Sequence, residues 1–218
     1  MSQPPGNPEI YIWLKEMVID FHFGQGAPIV VNEVADRLRV SATPVRENLI
    51  RLRSEGFIDD SPRRGFLSKV LSTKEMIDLH NLLCLLLTHS LSYLDSTRAG
   101  AGVEPREQRR GDARAHVLYL DSICQSLVSL TDNREMLQIV RNSCDRTRYV
   151  RTIDLEAPGR LALGQRFIDE LFSALRLRDA EFAAGLIRRY FDDKIERMSA
   201  LVKEGISRSY VPENLIQS

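Results

Sequence analysis

The sequence predicts a mostly α-helical chain in two parts, and three observations carry this. Apolar residues recur at a spacing of three and four over most of the 218 residues, which is the period of a helix face. One short stretch, 57–70, breaks that period, with two β-like runs around a tip rich in Pro, Arg and Gly. After residue 72 no further strand signal occurs, so a second, all-helical part follows.

In chain order, Ile10, Trp13, Leu14, Met17 and Val18 predict a helix over 9–22. Gly24-Gln25-Gly26-Ala27-Pro28 ends it in a turn. Asn32 is expected to cap a short helix to about Leu38, with Val34, Ala35 and Leu38 inward. Ser41 suits the N-cap of a third helix to about Glu55, and Pro44 falls in its first turn, where a missing N–H costs nothing. Val45, Leu49 and Leu52 make its inward stripe, Ala42, Arg46 and Arg53 its exposed side, and Gly56 stops it. Phe57-Ile58 and Phe66 to Val70 then read as the strands of a hairpin, with 59–65 as its tip. Three short helices followed by a hairpin make a winged helix-turn-helix.

Helices are expected at about 73–97, 108–131, 133–156, 159–178 and 179–205. Thr73 can cap the first, whose run Leu82 to Leu87 is apolar all round and should be buried on several sides. Gly100 to Asp112 reads as a loop, and Asp132-Asn133 and Ala157-Pro158-Gly159 as turns. Phe167, Ile168, Leu171, Phe172 and Leu175 stripe the fourth helix, and Phe182, Leu186, Ile187, Tyr190, Ile195 and Met198 the last. These stripes predict an antiparallel bundle. The expected division is 1–72 for the winged helix, 73–207 for the bundle, and a fraying tail over 208–218.

Composition narrows the function classes. Thirty Lys and Arg against 30 Asp and Glu exclude binding to nucleic acid by bulk charge. The charge is nevertheless uneven: residues 1–36 carry one base and five acids, whereas 37–70 carry eight bases and four acids. A local basic stripe in a neutral chain is the footprint of a surface that meets phosphates. Three cysteines exclude a disulfide scaffold and fit a reducing compartment. No transmembrane run or signal-peptide core is visible, so a soluble cytoplasmic protein is expected, with no membrane partner. There is no Ser/His/Asp set, phosphate loop or zinc spacing, and the adjacent Asp192 and Asp193 diverge on a helix, so no catalytic residues are assigned.

Residues 32–66 resemble the DNA-binding domain of the GntR family of bacterial transcription regulators. The resemblance rests on Val34-Ala35, Leu38, Val40-Ser41-Ala42-Thr43-Pro44-Val45-Arg46-Glu47, Leu49, Leu52, Glu55-Gly56 and Arg63-Arg64-Gly65, in that family's order and spacing. The helical remainder resembles the FCD effector domain of the FadR-like branch, in its shorter VanR-like form. The resemblance implies a homodimeric regulator that reads an inverted-repeat operator on double-stranded DNA. It also implies control by a small organic effector in the helical domain.

A winged helix-turn-helix lays its third helix in the major groove, N-terminal end first. The expected DNA contacts are Asn32, Ser41, Thr43, Arg46 and Arg51, with Arg63, Arg64 and Gly65 at the wing. Arg46 matches the family's recognition-helix Arg, whose fork suits guanine O6 and N7. Ala42 stands where the family usually has Arg, so one typical base contact is expected to be missing.

Many FCD domains hold a divalent metal through one Asp and three His. Asp121 matches the Asp, but Gln125, Gln165 and Tyr190 stand at the three His positions, so no metal and no other cofactor is expected. Asp112 and His116 offer a second Asp-x3-His register, half a turn out of phase with the first. The expected effector pocket comprises Asp121, Gln125, Arg148, Gln165 and Tyr190, with Arg141 a further candidate for an effector carboxylate. Leu83 and Leu87 replace the Arg and Glu often seen on the first bundle helix, which points to an apolar cavity and a more hydrophobic ligand. The alternatives are an effector-independent regulator with a collapsed pocket, and an enzyme built on the helical domain.

Overall fold

The computed structural model describes residues 5–94 and 112–209. The chain divides into two compact units, Met1–Leu71 with Gly205–Ser218, and Ser72–Glu204.

In the first unit, α1 (Asn7–Ile19), α2 (Val31–Leu38) and α3 (Ala42–Ser54) are followed by β1 (Ile58–Ser61) and β2 (Gly65–Ser68). The expected stripes form one core, with Leu14, Val45, Leu49 and Leu52 fully buried against Ile10, Val34, Phe57 and Ile58. α1 ends at Ile19, three residues before the expected end at His22, and Phe21 turns the chain with a left-handed φ of 56°. α2 starts at Val31 with Val30 as its cap, so Asn32 lies inside the first turn and does not cap it. An Asn side chain caps from an extended backbone, and the chain is already helical at Asn32. Arg39 ends α2 in a left-handed conformation, φ 56°, and swings the backbone into α3.

The hairpin is longer and its tip tighter than expected. Asp59 and Asp60, read as tip residues, belong to β1 and pair with Leu67 and Phe66 across the antiparallel ladder. Both are exposed, and on so open a ribbon carboxylates cost little; Asp60 accepts a hydrogen bond from Arg53 at 2.6 Å. The tip is therefore Pro62-Arg63-Arg64. Gly65 has φ +68° with nothing near its missing Cβ, so backbone conformation and not space calls for glycine. Residues 26–29 line the outer edge of β2, with Ile29 N–H donating to Phe66 C=O at 2.8 Å and Ser68 N–H to Ala27 C=O at 2.9 Å.

The first unit is completed from the far end of the chain. The Gln25 side chain accepts from Leu71 N–H at 2.8 Å and donates to Ser209 Oγ at 2.5 Å, just past the end of the final helix.

The second unit holds α4 (Thr73–Ser90), a 3₁₀ turn (Leu91–Tyr93), α5 (Ala113–Ser129), α6 (Arg134–Glu156), α7 (Arg160–Arg176) and most of α8 (Ala180–Arg208). Ser72, not Thr73, caps α4 and accepts from Glu75 N–H. Asp112 and Asn133 cap α5 and α6 in the same way. The expected loop over 100–112 lies outside the described residues except for Asp112. The core joins Leu83 and Leu87 of α4 to Leu127, Val140, Ile168, Leu171 and Ile187. Two expectations of burial fail: Leu85 is 64% exposed and Phe182 49% exposed, because each falls off its helix's inward stripe.

Candidate nucleic-acid interface and bundle cavity

α3 presents Thr43, Arg46, Glu47 and Ile50 at spacings of three, four and seven, and all four are exposed. Its inward residues Val45, Leu49 and Leu52 hold the helix by burial. Asn48, also buried, ties α3 to the start of α1 by donating to Asn7 Oδ1 at 2.5 Å and to Pro44 C=O at 2.9 Å. Ser41 occupies the N-cap, but its hydroxyl makes no capping bond. The first N–H groups of α3 therefore stay open to an anion at the positive end of the helix.

Counterions sort the arginines of this unit. Arg53 is held by Asp60, and Arg64 donates to Gly26 C=O at 3.1 Å. Arg51 donates to Glu55 at 2.9 Å and lies 3.8 Å over the Tyr11 ring, whose hydroxyl also donates to Glu55. Arg39, Arg46 and Arg63 are exposed and make no hydrogen bond or ion pair among the described residues. They stand at the α2–α3 turn, on the outer face of α3 and at the hairpin tip. Among the expected contacts, Asn32, Ser41, Thr43 and Gly65 are also exposed. Arg39 was not singled out from sequence; its signal is the Arg-Val-Ser step into α3, which a left-handed residue exposes.

In the second unit, an inner chamber of about 30 Å³ lies among α4 to α8, walled by leucines, Cys124, Cys144, Arg151, Phe167 and Tyr190. Arg151 is buried, ion-paired to Asp121 at 2.7 Å, and donates to Thr147 Oγ1 at 3.1 Å and Cys144 C=O at 2.6 Å. Burial works against the guanidinium's charge, but Asp121 outweighs it and keeps Arg151 protonated beyond its ordinary range. The Cys124 thiol and burial push the Cys144 thiol up, so it is a neutral wall group. Burial also raises the Tyr190 hydroxyl.

An outer groove of about 230 Å³ runs between α7 and α8 and shares Phe167 and Tyr190 with the chamber. These two rings stack, centroids 4.1 Å apart and 18° from parallel. Lys194 lies 4.6 Å over the Tyr190 ring. Behind it, the fully buried Asp154 receives Lys194, Arg160 and Arg197, while Arg160 also binds Asp193. Arg160 lowers the Asp193 carboxyl, and burial lowers the Lys194 ammonium.

Three comparisons bear on what these features belong to. The profile of the family described as bacterial regulatory proteins, gntR family, matches residues 8–67. The Nta operon transcriptional regulator of Aminobacter aminovorans is 30% identical over 203 residues, covering 88% of this chain and 96% of the relative. The chain belongs to the GntR family. The transcriptional repressor RspR of Escherichia coli is 24% identical over 216 residues, covering 92% of this chain and 90% of the relative. Among solved structures, E. coli McbR/YncC superposes with a TM-score of 0.68 at 16% identity, covering 92% of this chain and 99% of that one. A GntR transcriptional regulator of Rhodococcus sp. RHA1 gives 0.67 at 16% identity, covering 89% and 97%. The chain is thus a DNA-binding transcription regulator of the GntR type, with a helical C-terminal domain. These relatives are named as regulators, not as enzymes.

In this GntR regulator the four residues matched from sequence to a metal site do not form a ligand set. Asp121 is taken by a fixed cation, Arg151. Gln125 turns to Arg141, accepting at 2.9 Å, and Gln165 donates to Asp169. Tyr190 stacks on Phe167. Among the described residues no three His, Cys, Asp or Glu side chains converge to hold a metal. Of the second register, Asp112 is spent as the α5 cap, and His116 is buried against Gly164. Arg148 pairs with Asp145, not with the chamber. The structure therefore places Tyr190 and Arg151 in the chamber wall, with Asp121 as the counterion of Arg151. Sequence reasoning missed Arg151, although it continues the stripe Val140, Cys144, Thr147 at helical spacing. No helix among the described residues is long and apolar enough to cross a membrane.

Proposed function

We propose that this GntR regulator is of the FadR-like branch with an FCD-type helical domain. It binds an inverted-repeat operator as a homodimer in the cytoplasm and responds to a small organic effector held in the helical unit. The observation that carries the DNA reading is the set of three arginines without counterions, Arg39, Arg46 and Arg63, at the turn, helix face and hairpin tip that meet a duplex. Arg46 reads a guanine edge, Ser41 and the open N–H groups of α3 meet a phosphate, and Arg63 reaches the flanking backbone. Thr43 faces the bases beside Arg46; Asn32, Arg51, Arg64 and Gly65 line the rim of the same contact. Leu85, exposed within an apolar run, supports a surface that a second copy covers.

The test is fluorescence anisotropy on a duplex selected from random sequence by the full chain. Arg46→Ala loses about 1–3 kcal/mol on the selected site, roughly 5- to 150-fold, with little loss on scrambled DNA. Arg63→Ala weakens both alike. Binding of Arg46→Ala at the wild-type level overturns the docking. Sedimentation velocity tests the dimer.

A second reading, a regulator without effector control, is favoured by the chamber's small volume, about 30 Å³. A thermal-shift screen in which no small acid or amide stabilises the protein supports it.

A further inference from the structure

The chamber and the outer groove share the stacked pair Phe167 and Tyr190, which lines both. The two spaces differ in chemistry. The chamber wall is apolar, because the Arg151 guanidinium is turned away onto Asp121, Thr147 and the Cys144 carbonyl. The groove carries Arg160, Arg166, Arg189 and Lys194 against Glu170 and Asp193. Even with Asp154 counted behind them, one positive charge is in surplus.

These cations are not equivalent. Arg160 and Lys194 are spent on Asp154 and Asp193. Arg166 and Arg189 are exposed and make no hydrogen bond or ion pair among the described residues.

We propose that chamber and groove form one site for an aryl carboxylate, its ring in the leucine chamber and its carboxylate outside, at Arg166 and Arg189. The proposal rests on the effector reading above and names the ligand class. The opposite orientation fails on charge. A carboxylate inside would enter a wall of leucines, thiols and rings whose one guanidinium, Arg151, already serves Asp121, and burying a charge without a counterion of its own is costly. Outside, two free guanidinium groups offer planar forks that match a carboxylate.

Volume points to the same geometry. The chamber, about 30 Å³, holds a ring only when Phe167 and Tyr190 part, and the groove outside, about 230 Å³, holds the rest of the ligand. A ring entering between Phe167 and Tyr190 exchanges their mutual stacking for two new ring contacts, so parting them carries its own compensation. Lys194, over the Tyr190 face, lies beside the incoming carboxylate.

The test is calorimetric titration of the full chain with 3-phenylpropionate and with its uncharged amide. The acid is expected to bind at least tenfold more tightly than the amide. In Arg166→Gln/Arg189→Gln this preference disappears, while the amide binds as before and the melting temperature is unchanged. Nuclear Overhauser contacts from the ligand ring to methyl-labelled Leu120 and Leu171 are expected. Equal affinity for acid and amide, an unaltered preference in the double variant, absent ring–methyl contacts or no binding of the acid would each overturn the site. Operator affinity is measured in parallel. Acid binding at this site without a change in operator affinity supports the site and overturns only the effector reading.

Discussion

His80 gives the regulator a stability that acid should erode in a defined window. Its ring is buried in α4, with Nδ1 2.7 Å from Met76 C=O and the ring edge-on to Phe191. Burial pushes its pKa down from 6.5 to about 4; Arg151 and Lys194 add to the fall, and the Met76 carbonyl and Asp154 oppose it. Nε2 has no hydrogen-bond partner in the described structure, so nothing waits there to stabilise a second proton. The unfolded chain takes up a proton at His80 below pH 6.5, while the native state resists until about pH 4. Stability from this residue is complete above pH 6.5 and is lost as pH falls toward 4. Each tenfold difference in proton affinity is worth about 1.4 kcal/mol, so the full loss is about 3 kcal/mol. His116 is lowered by burial in the same direction, so the wild-type limb contains both. The assay is urea denaturation of wild type and His80→Leu between pH 7.5 and 4. The difference in unfolding free energy between the two proteins should shift by about 3 kcal/mol in favour of the variant at the acid end. Parallel stability curves would refute the assignment.

Two further outcomes follow from packing and charge. Gly164→Ala places a Cβ 2.7 Å from His116 Nε2 and 3.3 Å from Leu155 Cδ2, so overpacking of about 1–3 kcal/mol should appear as a lowered melting temperature; an unchanged melt would mean that the α5–α7 contact yields freely. Asp154→Asn leaves the buried Lys194, among the described residues, with the Asp193 carboxylate 3.9 Å away, and should cost about 3 kcal/mol in chemical denaturation, whereas a loss below about 0.5 kcal/mol would show that the cations find other partners.

Much of the helical frame was legible because each helix buries a stripe at three-and-four spacing. Val45, Leu49 and Leu52 alone define the phase of α3 and hence which side Arg46 faces. Ends were less legible. Ser72 and Thr73 are both good caps, and only the backbone decides between them. Asp59 and Asp60 read as turn residues because carboxylates disfavour strands, a preference that an exposed two-stranded ribbon overrides. In the bundle, Arg146, Arg148 and Arg151 look alike in sequence, yet their partners differ: Glu75, Asp145 and Asp121. Two of these pairs depend on which carboxylate another helix brings near, and spacing along one helix does not carry that information; Asp145, by contrast, lies one turn before Arg148 on α6 itself. The same limit explains Gln125 and Gln165. Gln125 meets Arg141 of α6, Gln165 meets Asp169 one turn along α7, and neither lines the chamber.

The clasp of Gln25 onto Ser209, just past α8, has a consequence for synthesis. The winged unit leaves the ribosome before the helical domain, but its Gln25–Ser209 bond spans 184 residues. At about 5–20 residues per second the ribosome needs roughly 10–40 s to supply the missing partner. For that interval the Leu71 end of the nascent unit is held from one side only. A newly made regulator thus acquires its completed DNA-binding unit only after nearly all of its helical domain has been translated.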